Sequence, residues 1–198
     1  MRIIGGNHRS RKLLSPKDDL ITRPITDRVK QSLFDRLWSE EVLGGGNVLD
    51  IFAGVGSLGL EAISRGADHC TFIERHKAIR TLLEQNLEAL GESDSATVLK
   101  VDAMMTGWVG MLAHQPLRLV FCDPPYDMTR DEIGRVANLI KTLVVLTEPE
   151  GLLVLRSHSD VKAPEVEGWF EPRTYIYGSM ATHLYNPVHL ENGTDETE

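Results

Sequence analysis

The chain predicts an α/β protein: a doubly wound sheet of mostly parallel strands that ends in an antiparallel hairpin. Three observations predict it. Short apolar runs alternate with amphipathic stretches between residues 47 and 156, a glycine-rich turn GVGSLG joins the first run to the next stretch, and two β-type runs near the C-terminus flank Gly178-Ser179. Apolar strands with little alternation must be covered on both faces, and right-handed crossovers through helices supply that cover.

Each element follows from its local pattern. Residues 1–25 contain Gly5-Gly6 and only short apolar pairs, so they read as an extended or hairpin arm. Thr26 can N-cap a helix that runs to about residue 38, with Val29, Leu33, Leu37 and Trp38 as its apolar stripe. Val29 stands where a capping-box glutamate would be. After the break at Gly44-Gly45-Gly46, strands are expected at 47–52, 70–74, 97–101, 117–122 and 152–156, and helices at 58–65, 77–90, 104–113 and 131–145. The helix at 77–90 carries Ile79, Leu82, Leu83, Leu87 and Leu90 on one side and stops at Gly91. Residues 173–177 and 182–186 read as the hairpin, and the final ENGTDETE is too polar to pack. The expected organisation is a basic arm and helix (1–40) belonging to the same unit as the main body (41–189), followed by a disordered acidic tail (190–198).

Composition narrows the function classes. With 41% hydrophobic and 25% charged residues the chain is of globular type, and no apolar run approaches the ~20 residues of a membrane helix. The N-terminus turns basic too early for a secretory signal, so a cytoplasmic protein is expected. Cys70 and Cys122 are isolated and the histidines lack paired spacing, which indicates neither disulfides nor a metal site. The net charge of -8 conceals an asymmetry: residues 1–36 hold nine Lys/Arg against four Asp/Glu, whereas the remainder holds twelve against twenty-five. Concentrated cations, Arg9, Arg11 and Lys12 among them, fit local contact with a polyanion through one surface.

Two loops carry chemistry. Gly54-x-Gly56-x-x-Gly59 lies between a strand and a helix, where glycines admit a ligand close to the backbone and the helix start offers N–H donors. Carboxylates stand at neighbouring strand ends: Glu74 is suited to ribose hydroxyls, Asp102 to an adenine amine, and Asp50 to a cationic amine. The extra acid at Asp50 favours S-adenosylmethionine over a dinucleotide. The second loop is Asp123-Pro124-Pro125-Tyr126, at the end of the fourth strand. Proline removes N–H donors and holds the preceding residue extended, so the Asp123 carboxylate and the Pro124 carbonyl can face one external donor. Two acceptors on an exocyclic base amine favour its pyramidal geometry, while Tyr126 can stack on the base.

These motifs resemble the RsmD-like family of 16S rRNA guanine-N2 methyltransferases. The resemblance runs from Arg2 to about Tyr185 through RIIGG, RKL, RPITDRVKQSLFDRL, DIFAGVGSLGLEAISRGA, FIER, VDA and DPPY, and RPITDRV discriminates best. It implies a class I S-adenosylmethionine-dependent methyltransferase fold, Rossmann-like, with seven strands. It also implies a cofactor pocket of Asp50, Ala53, Gly54, Gly56, Glu74, Asp102 and Ala103, and a catalytic loop of Asp123, Pro124, Pro125 and Tyr126. Arg23, Thr26 and Arg28 match the family's N-terminal motif and are expected to close over cofactor or RNA. Many relatives have phenylalanine in place of Tyr126, and Val55 replaces a small residue; neither change alters the expected reaction. The expected partner is rRNA or the assembling small ribosomal subunit, with the protein a monomer. Alternatives are adenine-N6 or other amine methylation and, more distantly, an NAD-dependent oxidoreductase or a non-catalytic RNA-binding module.

Overall fold

The computed structural model describes residues 1–16 and 25–188, so the acidic tail expected at 190–198 lies outside the described residues. Its strands are β1 (Asn47–Ile51), β2 (His69–Ile73), β3 (Ala96–Leu99), β4 (Leu117–Cys122), β5 (Thr147–His158), β6 (Arg173–Tyr177) and β7 (Met180–Tyr185), in one sheet of order β3-β2-β1-β4-β5-β7-β6. β1 to β5 are parallel, and β7 runs antiparallel between β5 and β6. The chain therefore proceeds outward from β1 to β3 and returns to begin again at β4. The carboxyl ends of β1 and β4 flank the point where the winding reverses, and a ligand crevice forms there.

Period-two alternation divides each central strand between two apolar layers. On one face Val48, Phe72, Leu119 and Phe121 pack with helices α1 (Asp27–Ser39), α2 (Gly59–Ser64) and α3 (Lys77–Leu90) through Leu33, Phe34, Leu37, Leu60, Leu83 and Leu87. On the other, Leu49, Ile51, Val120, Leu153 and Leu155 pack with Trp108 and with Val136, Leu139, Ile140 and Leu143. The last four belong to α5 (Ile133–Leu143).

The elements match the sequence expectation closely, with four differences, the first being that β5 runs over Thr147–His158 and not only over 152–156. Trp38 does not belong to the buried stripe of α1: it is 67% exposed, and Phe34 fills the core in its place. Residues 104–113 do not form an α-helix; Thr106–Met111 is a 3-10 turn, consistent with the poor helix propensity of Gly107 and Gly110 and with Trp108 bonding back to the Ala103 carbonyl at 3.0 Å. The expected helix at 131–145 starts earlier and in two pieces, because α4 (Tyr126–Asp131) begins directly after Pro125, a residue that tolerates a helix start. Thr26 caps α1 as expected, its Oγ1 accepting from Val29 N–H at 3.4 Å, and Gly91 ends α3 in the left-handed region.

The N-terminal arm is a hairpin, with Arg2 bridged to Lys12 and Ile3 exchanging backbone bonds with Ser10 and Arg11. It is anchored to α2: the amides of Ile4 and Gly5 donate to the two Glu61 oxygens at 2.7 and 2.8 Å. Lys30, fully buried, reaches the same carboxylate and donates to the Arg2 carbonyl at 2.6 Å. At the far end, Asn86 of α3 holds both backbone groups of Leu14.

Candidate active site

Four strand ends converge on a cleft of about 440 Å³. β1 contributes Asp50, β2 leads into Glu74, β3 into Asp102 and Ala103, and β4 into Asp123-Pro124-Pro125-Tyr126; all eight residues line it. Ala53, Gly54 and Val55 form the floor between β1 and α2. The arm borders the same cleft through Met1 and Ile25.

The glycines divide their work. Gly54 has φ +57°, and a Cβ added there would meet nothing within 4 Å, as a backbone open to a ligand requires. Gly56 does not line the cleft: at φ +85° its missing Cβ leaves room for Leu83 and Leu60, 2.5 and 3.0 Å from where that carbon would lie. Gly59 lets α2 approach β2, since a Cβ would stand 2.3 Å from Phe72 and 2.6 Å from the Cys70 thiol. Just before this loop, Phe52 takes φ +62°, a region a bulky side chain rarely adopts.

The acids differ in state because their surroundings differ. Asp50 is 1% exposed and accepts from Gly59 N–H at 2.9 Å. Burial pushes its carboxyl well above the usual carboxylate range, against that hydrogen bond. Glu74 accepts from Gly54 N–H at 3.0 Å and His76 N–H at 2.7 Å, so it fixes the floor while it lines the cleft. Asp102 is held below the usual range, first by the Met104 N–H and then by Arg75, whose Nη1 lies 2.8 Å away.

At the second loop, Asp123 Oδ2 accepts from Arg156 Nη1 at 2.6 Å, and among the described residues no donor engages Oδ1. Burial raises the Asp123 carboxyl above its ordinary value, and Arg156 opposes that rise. The Tyr126 ring meets His158 edge-on at 5.7 Å, and His158 Nδ1 lies 2.6 Å from Asp160.

Arg156 and His158 are absent from the site residues expected from the sequence, where Arg156 figures only as the end of the fifth strand, although both stand on β5, the strand beside β4. Following strand ends one strand further would have found them. Of the arm residues, Arg9, Arg11, Lys12 and Arg28 are exposed and lie outside the cleft lining. Arg11 donates to the Ala89 carbonyl at 2.8 Å, Thr26 serves as a helix cap, and Arg23 falls outside the described residues. Among the described residues no group of three His, Cys, Asp or Glu is arranged to hold a metal, and no helix is long and apolar enough to cross a membrane.

A sheet wound in this order, with a glycine turn after β1 and acids closing β2 and β3, defines the class I methyltransferase fold. The family model described as Conserved hypothetical protein 95 matches residues 1–186. Ribosomal RNA small subunit methyltransferase D of Escherichia coli K12 is 37% identical over 188 residues, covering 93% of this chain and 89% of that protein. Its namesake in Haemophilus influenzae is 31% identical over 192 residues, covering 93% of each. The chain belongs to this family, the one its motifs resemble. Among solved structures, yhhF of Escherichia coli superposes with a TM-score of 0.76 at 34% identity, covering 96% of this chain and 99% of that one. A hypothetical protein of Thermus thermophilus gives 0.74 at 28%, covering 94% and 99%.

Proposed function

We propose that the protein transfers a methyl group from S-adenosylmethionine to the exocyclic N2 amine of a guanine in small-subunit ribosomal RNA. The observation that carries this reading is the meeting, in one cleft, of an acceptor loop (Asp123 to Tyr126) with a ligand floor (Gly54, Asp50, Glu74, Asp102). The floor suits that cofactor: Glu74 suits a ribose, Asp102 with Ala103 suits a planar base with an amine, and Asp50 lines the same cleft beside the glycine turn. When bound, S-adenosylmethionine supplies an electrophilic methyl group on its sulfonium.

The chain's own residues prepare the nucleophile. The N2 lone pair of guanine is delocalised into the ring, and acceptors on its N–H bonds draw it toward a pyramidal geometry. Asp123 Oδ1 and the Pro124 carbonyl are those acceptors, and Oδ1 takes up the proton that N2 releases. Pro124 and Pro125 bring no N–H of their own to compete. Tyr126 stacks on the base, a contact of about 1–3 kcal/mol, and a base presented to this ring leaves its own stack. The exposed arm cations, on an otherwise acidic chain, fit a local grip on phosphates beside the target rather than broad coating of RNA.

Tritium transfer from S-adenosylmethionine to small subunits and naked rRNA lacking the modification tests the reading, with nucleoside analysis of the product. N2-methylguanosine is the expected product. Methylated adenine would replace the base in this reading, and no transfer by folded protein would overturn it.

A further inference from the structure

Asp123 holds the substrate amine in the proposed reaction, and a guanidinium is buried against its other oxygen. Arg156 is 5% exposed, its Nη1 lies 2.6 Å from Asp123 Oδ2, and its Nε has no partner among the described residues. An arginine so placed loses its hydration, and part of it gains no hydrogen bond in exchange. A glutamine would orient the carboxyl with less desolvation. What the arginine adds is a charge that never titrates away. The surroundings make that charge useful, because burial favours protonation of Asp123 and the Asp50 carboxyl on β1 shares its pocket.

The charge on Asp123 decides which base edge the loop can read. A carboxylate is acceptor-only, whereas a protonated acid or an amide offers one donor and one acceptor. Beside its exocyclic amine guanine carries N1–H, a second donor. Adenine carries a bare N1, an acceptor, in the corresponding place. An acceptor-only group therefore matches guanine across two adjacent atoms and sets lone pair against lone pair with adenine.

We propose that Arg156 is a positioning and specificity residue: by holding Asp123 as a carboxylate it makes the loop an acceptor-only reader of the N1–H and N2–H edge of guanine. The inference rests on the methyl-transfer reading. The groups around Asp123 are Arg156 on β5, Asp50 on β1, the Cys122 thiol on its own strand and Tyr126 on α4, with His158 against the Tyr126 ring. Arg156 is the permanent cation among them.

The test uses the full chain as wild type, Arg156→Gln and Arg156→Lys. Turnover on small subunits lacking the modification is followed against pH, and the Asp123 carboxyl carbon is titrated by ¹³C NMR, with Asp123→Asn as assignment. In Arg156→Gln the acid limb of kcat should move upward by about one to three pH units, alkaline solution should restore turnover, and the carbon signal should move with it. Binding of S-adenosylhomocysteine should stay within a few-fold, and Arg156→Lys should keep the wild-type limb. Turnover lowered by one factor at every pH, or an unmoved carbon titration, overturns the inference. Should Arg156→Gln fail to fold, the lysine variant decides: a preserved limb supports the role and uniform loss contradicts it. If wild type methylates no guanine, the functional reading falls alone, and the carbon titration still judges the ion pair.

Discussion

Lys30 and Glu61 form an ion pair at 3.3 Å in which neither side chain reaches solvent. The same carboxylate accepts from the Ile4 and Gly5 amides and from Arg65 Nε, so one buried acid ties α1, α2 and the N-terminal hairpin together. Glu61→Ala would leave a buried lysine and two backbone donors without their acceptor. The expected loss is about 3–5 kcal/mol of folding stability, with hydrogen exchange at Ile4 and Gly5 accelerated before the sheet opens. Denaturant unfolding and amide exchange measure both; unchanged protection of the arm would contradict the anchoring role.

The two loop glycines should separate by variant. Gly54→Ala places a methyl in open space at φ +57°, so stability should fall by only about 1–2 kcal/mol, while S-adenosylmethionine affinity falls more than for any change behind the floor. Gly56→Ala drives its Cβ into Leu83 and Leu60, so stability should fall by about 1–3 kcal/mol beyond the backbone strain. Calorimetry with S-adenosylhomocysteine alongside thermal melts distinguishes them. Equal effects on binding and on melting in both variants would mean that Gly54 is a turn residue and no more.

This division marks where the sequence was legible. Strands and helices were readable because apolar runs and helical stripes are local, and the two loops because a glycine turn or an Asp-Pro-Pro corner is set by adjacent residues. The roles of Gly56 and Trp38 were not readable, since each depends on what a distant element brings to it. The same holds for Glu61 with Lys30 and for Arg156 with Asp123: the latter partners are 33 residues apart, and only the β4–β5 pairing joins them. The start of α4 was hidden for a different reason. The prolines that make the corner rigid also open a helix, and the first property obscured the second.

Asp123→Asn changes one acceptor of the loop into a donor and leaves its shape. Turnover should fall by about 10²–10³-fold, the loss seen when one aligned hydrogen-bonding group is removed from a reacting centre. Binding of S-adenosylhomocysteine should change little, because the floor acids are untouched. Single-turnover methyl transfer measures the first and calorimetry the second. Wild-type turnover in this variant would remove Asp123 from the chemistry.

His183 supplies a pH dependence of stability. It is fully buried, with Ser157 Oγ and Thr174 Oγ1 each 2.8 Å from a ring nitrogen, and burial lowers its pKa to about 4 from an ordinary 6.5. Its neutral form belongs to the fold, so its contribution is complete above pH 6.5 and is lost as pH falls from 6.5 toward 4. Through that window the unfolded chain binds the extra proton, and stability should decline by up to about 1.4 kcal/mol per pH unit. His183→Gln should flatten the slope between neutrality and the onset of carboxylate titration. An unchanged slope in the variant would assign the acid sensitivity elsewhere.

The arm cations make the last prediction, and it separates RNA contact from structure. Arg9, Lys12 and Arg28 are exposed and have no carboxylate partner among the described residues, whereas Arg11 is tied to the end of α3 through the Ala89 carbonyl. Phosphate contacts release counterions, so each one lost should lower the slope of log affinity against log salt by about 0.7–0.9. Arg9→Ala and Lys12→Ala should each reduce the slope by such a step and raise KM for the ribosomal substrate, with kcat at saturation and cofactor affinity little changed. Arg11→Ala should also loosen the arm on α3 and show faster exchange there, which the other two should not. Binding to small subunits across a salt series gives the slopes. If all three substitutions leave them unchanged, the positive arm is a solvated surface and the grip on RNA lies elsewhere on the molecule.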